Sequence, residues 1–112
     1  MRSDRVSDEL RDVLANIFIA ELHIPESGLL TVTRVKVSDD IKIAKIYISF
    51  LNNKISIEEL IQIVISKRKL IRHFVSKKIN LKYIPELRFF YDDTYENAEK
   101  INMLINRIHC ND

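Results

Sequence analysis

Glycine is nearly absent from this 112-residue sequence: Gly28 stands alone, with two prolines, Pro25 and Pro85, and one cysteine, Cys110. So few breakers leave room for short, defined joints and exclude a flexible linker, and the length suits one domain, residues 1–112, around one core. With a single glycine there is no phosphate-cradling glycine loop. A lone cysteine cannot form an internal disulfide, so a reducing compartment, the cytoplasm, is expected. No apolar run approaches the roughly 20 residues that span a bilayer. The opening MRSDRVSDEL carries charge with no apolar stretch behind it and is not read as a secretory signal. Neither membrane insertion nor export is therefore expected.

Chemistry-bearing constellations are equally scarce. His23, His73 and His109 show no metal-ligand spacing, and His109-Cys110 is an isolated pair. No Ser/His/Asp or Cys/His arrangement has local support. Asp39-Asp40 and Asp92-Asp93 read as turn and helix-cap residues. The expectation is a non-enzymatic protein with no catalytic residue, metal, cofactor or small-molecule substrate.

What the sequence does hold is segregated charge. Between Ser66 and Arg88 lie eight basic residues, Lys67, Arg68, Lys69, Arg72, Lys77, Lys78, Lys82 and Arg88, against the single acid Glu86. The remainder carries ten basic and fifteen acidic residues, so a chain of net charge +2 concentrates +7 in 23 positions. Such a patch fits a polyanion, nucleic acid first. Tyr47, Tyr83 and Tyr91 are candidates for base stacking, although Tyr91, like Phe89, fits better as strand core. His73 shares the basic helical face, as a phosphate contact or a plain surface residue.

Hydrophobic periodicity supplies the scaffold. Val6, Leu10, Val13, Leu14, Ile17 and Phe18 recur at spacings of three and four, giving a helix from about Ser3 to Leu22, ended before Pro25. Leu29 to Ser38 reads as a strand with Thr31, Thr33, Val35 and Val37 on one face and Val32, Arg34 and Lys36 on the other. Ile43 to Leu51 is a second strand with Ala44, Ile46, Ile48 and Phe50 on one face and Lys45, Tyr47 and Ser49 on the other, paired with the first as a hairpin. Ser56 and Glu59 form a capping box for a helix carrying Ile57, Leu60, Ile61 and Val64. A further stripe follows in Leu70, Ile71, Phe74, Val75 and Ile79. One continuous helix would place Arg68 inside the shared apolar stripe, and burying an unpaired charge is costly, so a break is expected near Lys67–Lys69. Leu87 to Tyr91 is a third strand with Leu87, Phe89 and Tyr91 on one face. Asp93 or Thr94 can cap a last helix burying Ala98, Ile101, Leu104, Ile105 and Ile108, with Glu96 complementing its dipole. The order is α+β: a small sheet with helices packed on one face.

This order, with these residues, resembles the ribosome-binding factor A family. The hairpin TVTRVKVSDDIKIAKIYIS, Thr31 to Ser49, is similar to the family's TVT-x-V-x-VS strand, Asp-containing turn and A-x-V-Y-V strand. Ile71, Arg72, Ile79, Leu81, Lys82, Pro85, Glu86, Leu87, Phe89 and Asp92 meet a second long pattern, and Arg5-Val6 matches the opening of the first helix. The resemblance implies a KH-like domain of type II topology, helix-strand-strand-helix-helix-strand, to which this chain adds a C-terminal helix. Ordinary KH domains clamp nucleic acid with a Gly-x-x-Gly loop, which this chain lacks. The family carries an Ala-x-Gly kink between its middle helices; Lys67-Arg68-Lys69 occupies those positions here.

The resemblance further implies a cytoplasmic RNA-binding monomer that binds the free 30S ribosomal subunit and its 16S rRNA and assists late maturation and processing in the 5′-terminal helix region. Lys67, Arg68, Lys69, Arg72, Lys77, Lys78 and Lys82 would grip phosphates, flanked by Arg2, Arg5 and Lys45. The competing reading is a protein-interaction module whose basic face meets an acidic partner, which RNA competition would leave undisturbed.

Overall fold

The computed structural model describes residues 2–94. Helix α1 (Arg2–Asn16) continues into one wider π turn, Ile17–Glu21. Strands β1 (Leu29–Val37) and β2 (Ile43–Leu51) follow, then helices α2 (Ile57–Ser66) and α3 (Arg68–Lys78), then strand β3 (Glu86–Tyr91). The expected last helix and the His109-Cys110 pair lie outside the described residues.

The sheet order is β1-β2-β3. β1 and β2 form the antiparallel hairpin, Leu29 opposite Leu51 and Val37 opposite Ala44. β3 lies parallel to β2, with Ile43 beside Glu86 and Ile48 beside Tyr91. Parallel neighbours need a long crossover, and α2 and α3 supply it. The helices cover one sheet face. Leu10, Leu14 and Ile17 from the N-terminal helix, Ala44, Ile46 and Ile48 from β2, and Leu60, Val64, Ile71 and Val75 from the crossover are all fully buried there. Each such large aliphatic side chain contributes about 1.5–3 kcal/mol relative to exposure.

Three local details differ from simple periodicity. The β1 register shifts between Val32 and Arg34. This bulge at Thr33 puts Val32 inward with Val35 and Val37, correcting the strict alternation that had placed Val32 beside Arg34 and Lys36. The expected break between the middle helices falls at Lys67, whose φ of −97° and ψ of 9° need no glycine. It leaves Lys67 half-buried and Arg68 and Lys69 exposed. Leu70, expected on the buried stripe, is 44% exposed, because α3 restarts after the break with Ile71 and Val75 inward. The cap forms as anticipated, the Ser56 hydroxyl accepting from the Glu59 N–H at 3.2 Å.

Two ties hold the ends of the sheet. The Val37 N–H donates to Ser7 Oγ at 3.0 Å, fastening β1 to α1. Thr33 Oγ1 donates to Asp92 Oδ2 at 2.5 Å, joining the bulge to the residue after β3. That bond, then those from Thr94, hold the Asp92 carboxyl below its usual value of 3.8. A depressed carboxyl pKa stabilises the fold above the unfolded value, and the contribution is lost as pH falls through the folded value.

Thr33→Val is therefore expected to lower stability by roughly 1 kcal/mol at neutral pH, seen as a drop of several degrees in Tm. The gap to the parent should close well below pH 3.8, as Asp92 protonates. Gly28 has φ of 62°, and a Cβ there would run into the carbonyl oxygen of Leu51 and lie 2.6 Å from that of Asn52. Gly28→Ala should cost on the order of 1–3 kcal/mol in chemical denaturation, since the obstacle is backbone at the end of β2, beside the start of β1.

Candidate nucleic-acid interface

The break at Lys67 sets the first element of the site. No side chain caps the start of α3. The C-terminus of α2 ends at the same residue, so its dipole offsets that of α3, and the local positive charge is that of Arg68 and Lys69. The Lys67 N–H is shared between the Ile63 and Val64 carbonyls at 3.2 and 3.1 Å, which closes α2. α3 then begins at once, and the Ile71 N–H returns to the Lys67 carbonyl at 2.9 Å.

Across from this end lies the start of β3. Arg68, Lys69 and Arg72 on α3, with Ile84, Glu86 and Leu87 on the approach to and start of β3, line an open groove of about 390 Å³. One wall is cationic and the other mostly apolar. The lone acid in that wall, Glu86, is engaged by Arg88, Nη2 to Oε2 at 3.1 Å. With that carboxylate partnered, the groove offers three cations to an anion.

The other candidates spread outward. Lys77 and Lys78 are exposed at the far end of α3, about 14 Å along the axis at 1.5 Å per residue. Lys78 lies 3.9 Å from Glu21 in an ion pair, which discounts it as a free phosphate contact. Lys82 sits past α3, its ammonium 5.6 Å from the Tyr83 ring, and Tyr83 is 75% exposed. Arg5 is exposed on α1. Lys45 is on the sheet face away from the helices. The groove thus unites Arg68, Lys69 and Arg72 and leaves Arg5, Lys45, Lys77, Lys78 and Lys82 apart from it. His73 is exposed on α3 and packs edgewise near Phe74, the ring centroids 6.0 Å apart. Of the tyrosines, Tyr91 stacks on the core residue Phe50 at 6.3 Å, as its strand position suggested.

The structure also gathers cations that the sequence showed only separately into a second surface. Arg34 and Lys36 on β1, Lys45 on β2 and Arg88 on β3 share the open sheet face. Only Arg34 and Lys36 show a spacing of two within one strand; Lys45 and Arg88 stand alone on theirs, among core residues. A search for runs of charge therefore passes over it. Among the described residues, no cluster of three or more His, Cys, Asp or Glu comes together, and no helix is long and apolar enough to cross a membrane.

Comparison with known proteins agrees with this architecture. The ribosome-binding factor A family matches residues 2–105. Ribosome-binding factor A of Pelagibacter ubique is 44% identical over 111 residues, 93% of this chain and 87% of that one. The crystal structure of ribosome-binding factor A from Thermus thermophilus superposes with a TM-score of 0.71 at 20% identity, over 80% of this chain and 93% of that one. The Thermus thermophilus factor as fitted into the cryo-EM map of a 30S complex gives 0.66 at 21% identity, over 77% and 90% of the two chains. Helix order, mixed three-stranded sheet and broken helix pair are those of the KH-like fold that the resemblance implied. A family match over nearly the whole length, with relatives of the same extent, establishes that the chain belongs to the ribosome-binding factor A family.

Proposed function

We propose that this chain is an assembly factor that binds the free 30S ribosomal subunit through its 16S rRNA, assists late maturation of that subunit, and supports rRNA processing in the 5′-terminal helix region. The observation that carries the proposal is the convergence of Arg68, Lys69 and Arg72 on one groove at the start of α3. Family membership supports the ribosome as the target, as does the Thermus relative fitted into a 30S complex map. The protein acts without catalysis, as a cytoplasmic monomer.

Guanidinium and ammonium groups at the groove neutralise phosphates and release condensed counterions, which supplies affinity and register with little base specificity. Arg68 and Arg72 add planar donors that fit phosphate oxygens in pairs. Structured rRNA is recognised by shape, and a groove between a helix end and a strand suits backbone contact. Lys77 and Lys82 extend the positive field along α3. The factor then holds an immature RNA arrangement until subunit maturation exchanges it.

Sedimentation with free small subunits should show co-migration that falls steeply with salt, with a log–log slope of roughly −0.7 to −0.9 per phosphate neutralised. A slope near zero contradicts the mechanism. Replacing Arg68, Lys69 and Arg72 together with Ala should reduce that slope by about 1 for each lost phosphate contact while leaving the thermal transition in place. Undiminished binding by the folded triple variant would remove the groove from the site.

A further inference from the structure

The sheet face away from the helices is open among the described residues, and its side chains form ordered rows. Arg34 on β1 pairs with Tyr47 on β2, and Tyr47 with Phe90 on β3. The Arg34 guanidinium carbon lies 4.2 Å above the Tyr47 ring. The Phe90 ring stacks with Tyr47 at 5.6 Å between centroids and 30° between planes. A cation and two rings thus lie in line across three strands. Two residues along, about 7 Å away at strand rise, Lys36, Lys45 and Arg88 make a parallel row of cations.

Both rows are accessible. Phe90 is 41% exposed, and Arg34, Lys36, Lys45 and Arg88 are exposed. An aromatic ring uncovered on a strand costs apolar hydration, yet this sheet face buries none of it in the core. Two acids border the face: Glu86 pairs with Arg88 at 3.1 Å, which discounts Arg88 as a free phosphate contact, and Asp92 accepts from Thr33 and the Thr94 N–H. The face therefore combines a planar row of Arg34, Tyr47 and Phe90 with the cations Lys36 and Lys45 one nucleotide's reach away.

We propose that this face is a second RNA contact, a stacking platform for unpaired nucleotides, with a base on the Phe90 ring or the Arg34 guanidinium and the adjoining phosphates on Lys36 and Lys45. Bases stack on aromatic rings and on guanidinium planes only when they are free of a duplex, so the ligand class is single-stranded RNA. Glu86 lies at the boundary, lining the α3 groove while pairing with Arg88 of the platform. A strand leaving the groove around the β3 edge reaches the platform without crossing the core. The inference rests on the RNA-binding reading and adds that the protein holds melted nucleotides as well as structured backbone.

The chain contains no tryptophan, so Phe90→Trp creates a single indole reporter. Titration of the full chain with a single-stranded RNA of about 12 nucleotides, within the range of site sizes of such platforms, should quench that fluorescence. The same sequence annealed to its complement should not. Phe90→Ala should weaken single-strand binding roughly 5- to 100-fold with duplex affinity and salt slope unchanged. The combined variant Lys36→Ala with Lys45→Ala should lower the slope instead. Arg68/Lys69/Arg72→Ala separates the two ideas. If that variant loses RNA binding while Phe90→Ala keeps it and the indole is not quenched, the groove stands and the platform is refuted. If no variant alters binding of either RNA, both readings fall.

Discussion

An unpaired charge does not stay in an apolar core, and the consequences of that rule run through this molecule. Arg68 falls in the apolar stripe of any uninterrupted helix over the crossover, so the helix breaks at Lys67 instead. The break turns the two halves independently. α2 buries Leu60 and Val64, α3 buries Ile71 and Val75, and the cations between them are delivered to the surface. The crossover must also return the chain parallel to β2, which brings the start of β3 beside the start of α3. A cost avoided in the core thus becomes a cationic groove at the edge.

The sequence carried much of this in plain view, for identifiable reasons. β2 alternates without interruption, so its limits and its inward residues Ala44, Ile46, Ile48 and Phe50 follow from period two. The break at Lys67 followed from charge and helical angle alone. β1 did not yield so easily: the bulge at Thr33 adds one residue, and nothing in TVTRV distinguishes a bulged strand from a regular one. Leu70 went astray because its burial depends on where α3 restarts. The groove needed Ile84, Glu86 and Leu87 brought alongside α3, a tertiary arrangement invisible to local pattern. The open sheet face was hidden differently, its cations spaced between core residues on three separate strands.

As proposed, the two surfaces divide the physics of RNA binding between them. In the proposed function the groove offers charge, which grips backbone and depends on salt. The platform adds aromatic surface, whose contribution is insensitive to salt and demands unpaired bases. A factor bearing both fits the boundary between a formed helix and a strand not yet paired, the kind of junction an assembling subunit presents.

The central claim is that the start of α3 touches ribosomal RNA. A photoreactive benzoylphenylalanine in place of Lys69, irradiated with the full chain on free small subunits, tests it most directly. Adducts on 16S rRNA, reduced as salt rises before irradiation, are the expected result. Adducts confined to ribosomal proteins, with none on the RNA, would contradict it and make the basic groove a protein-docking surface.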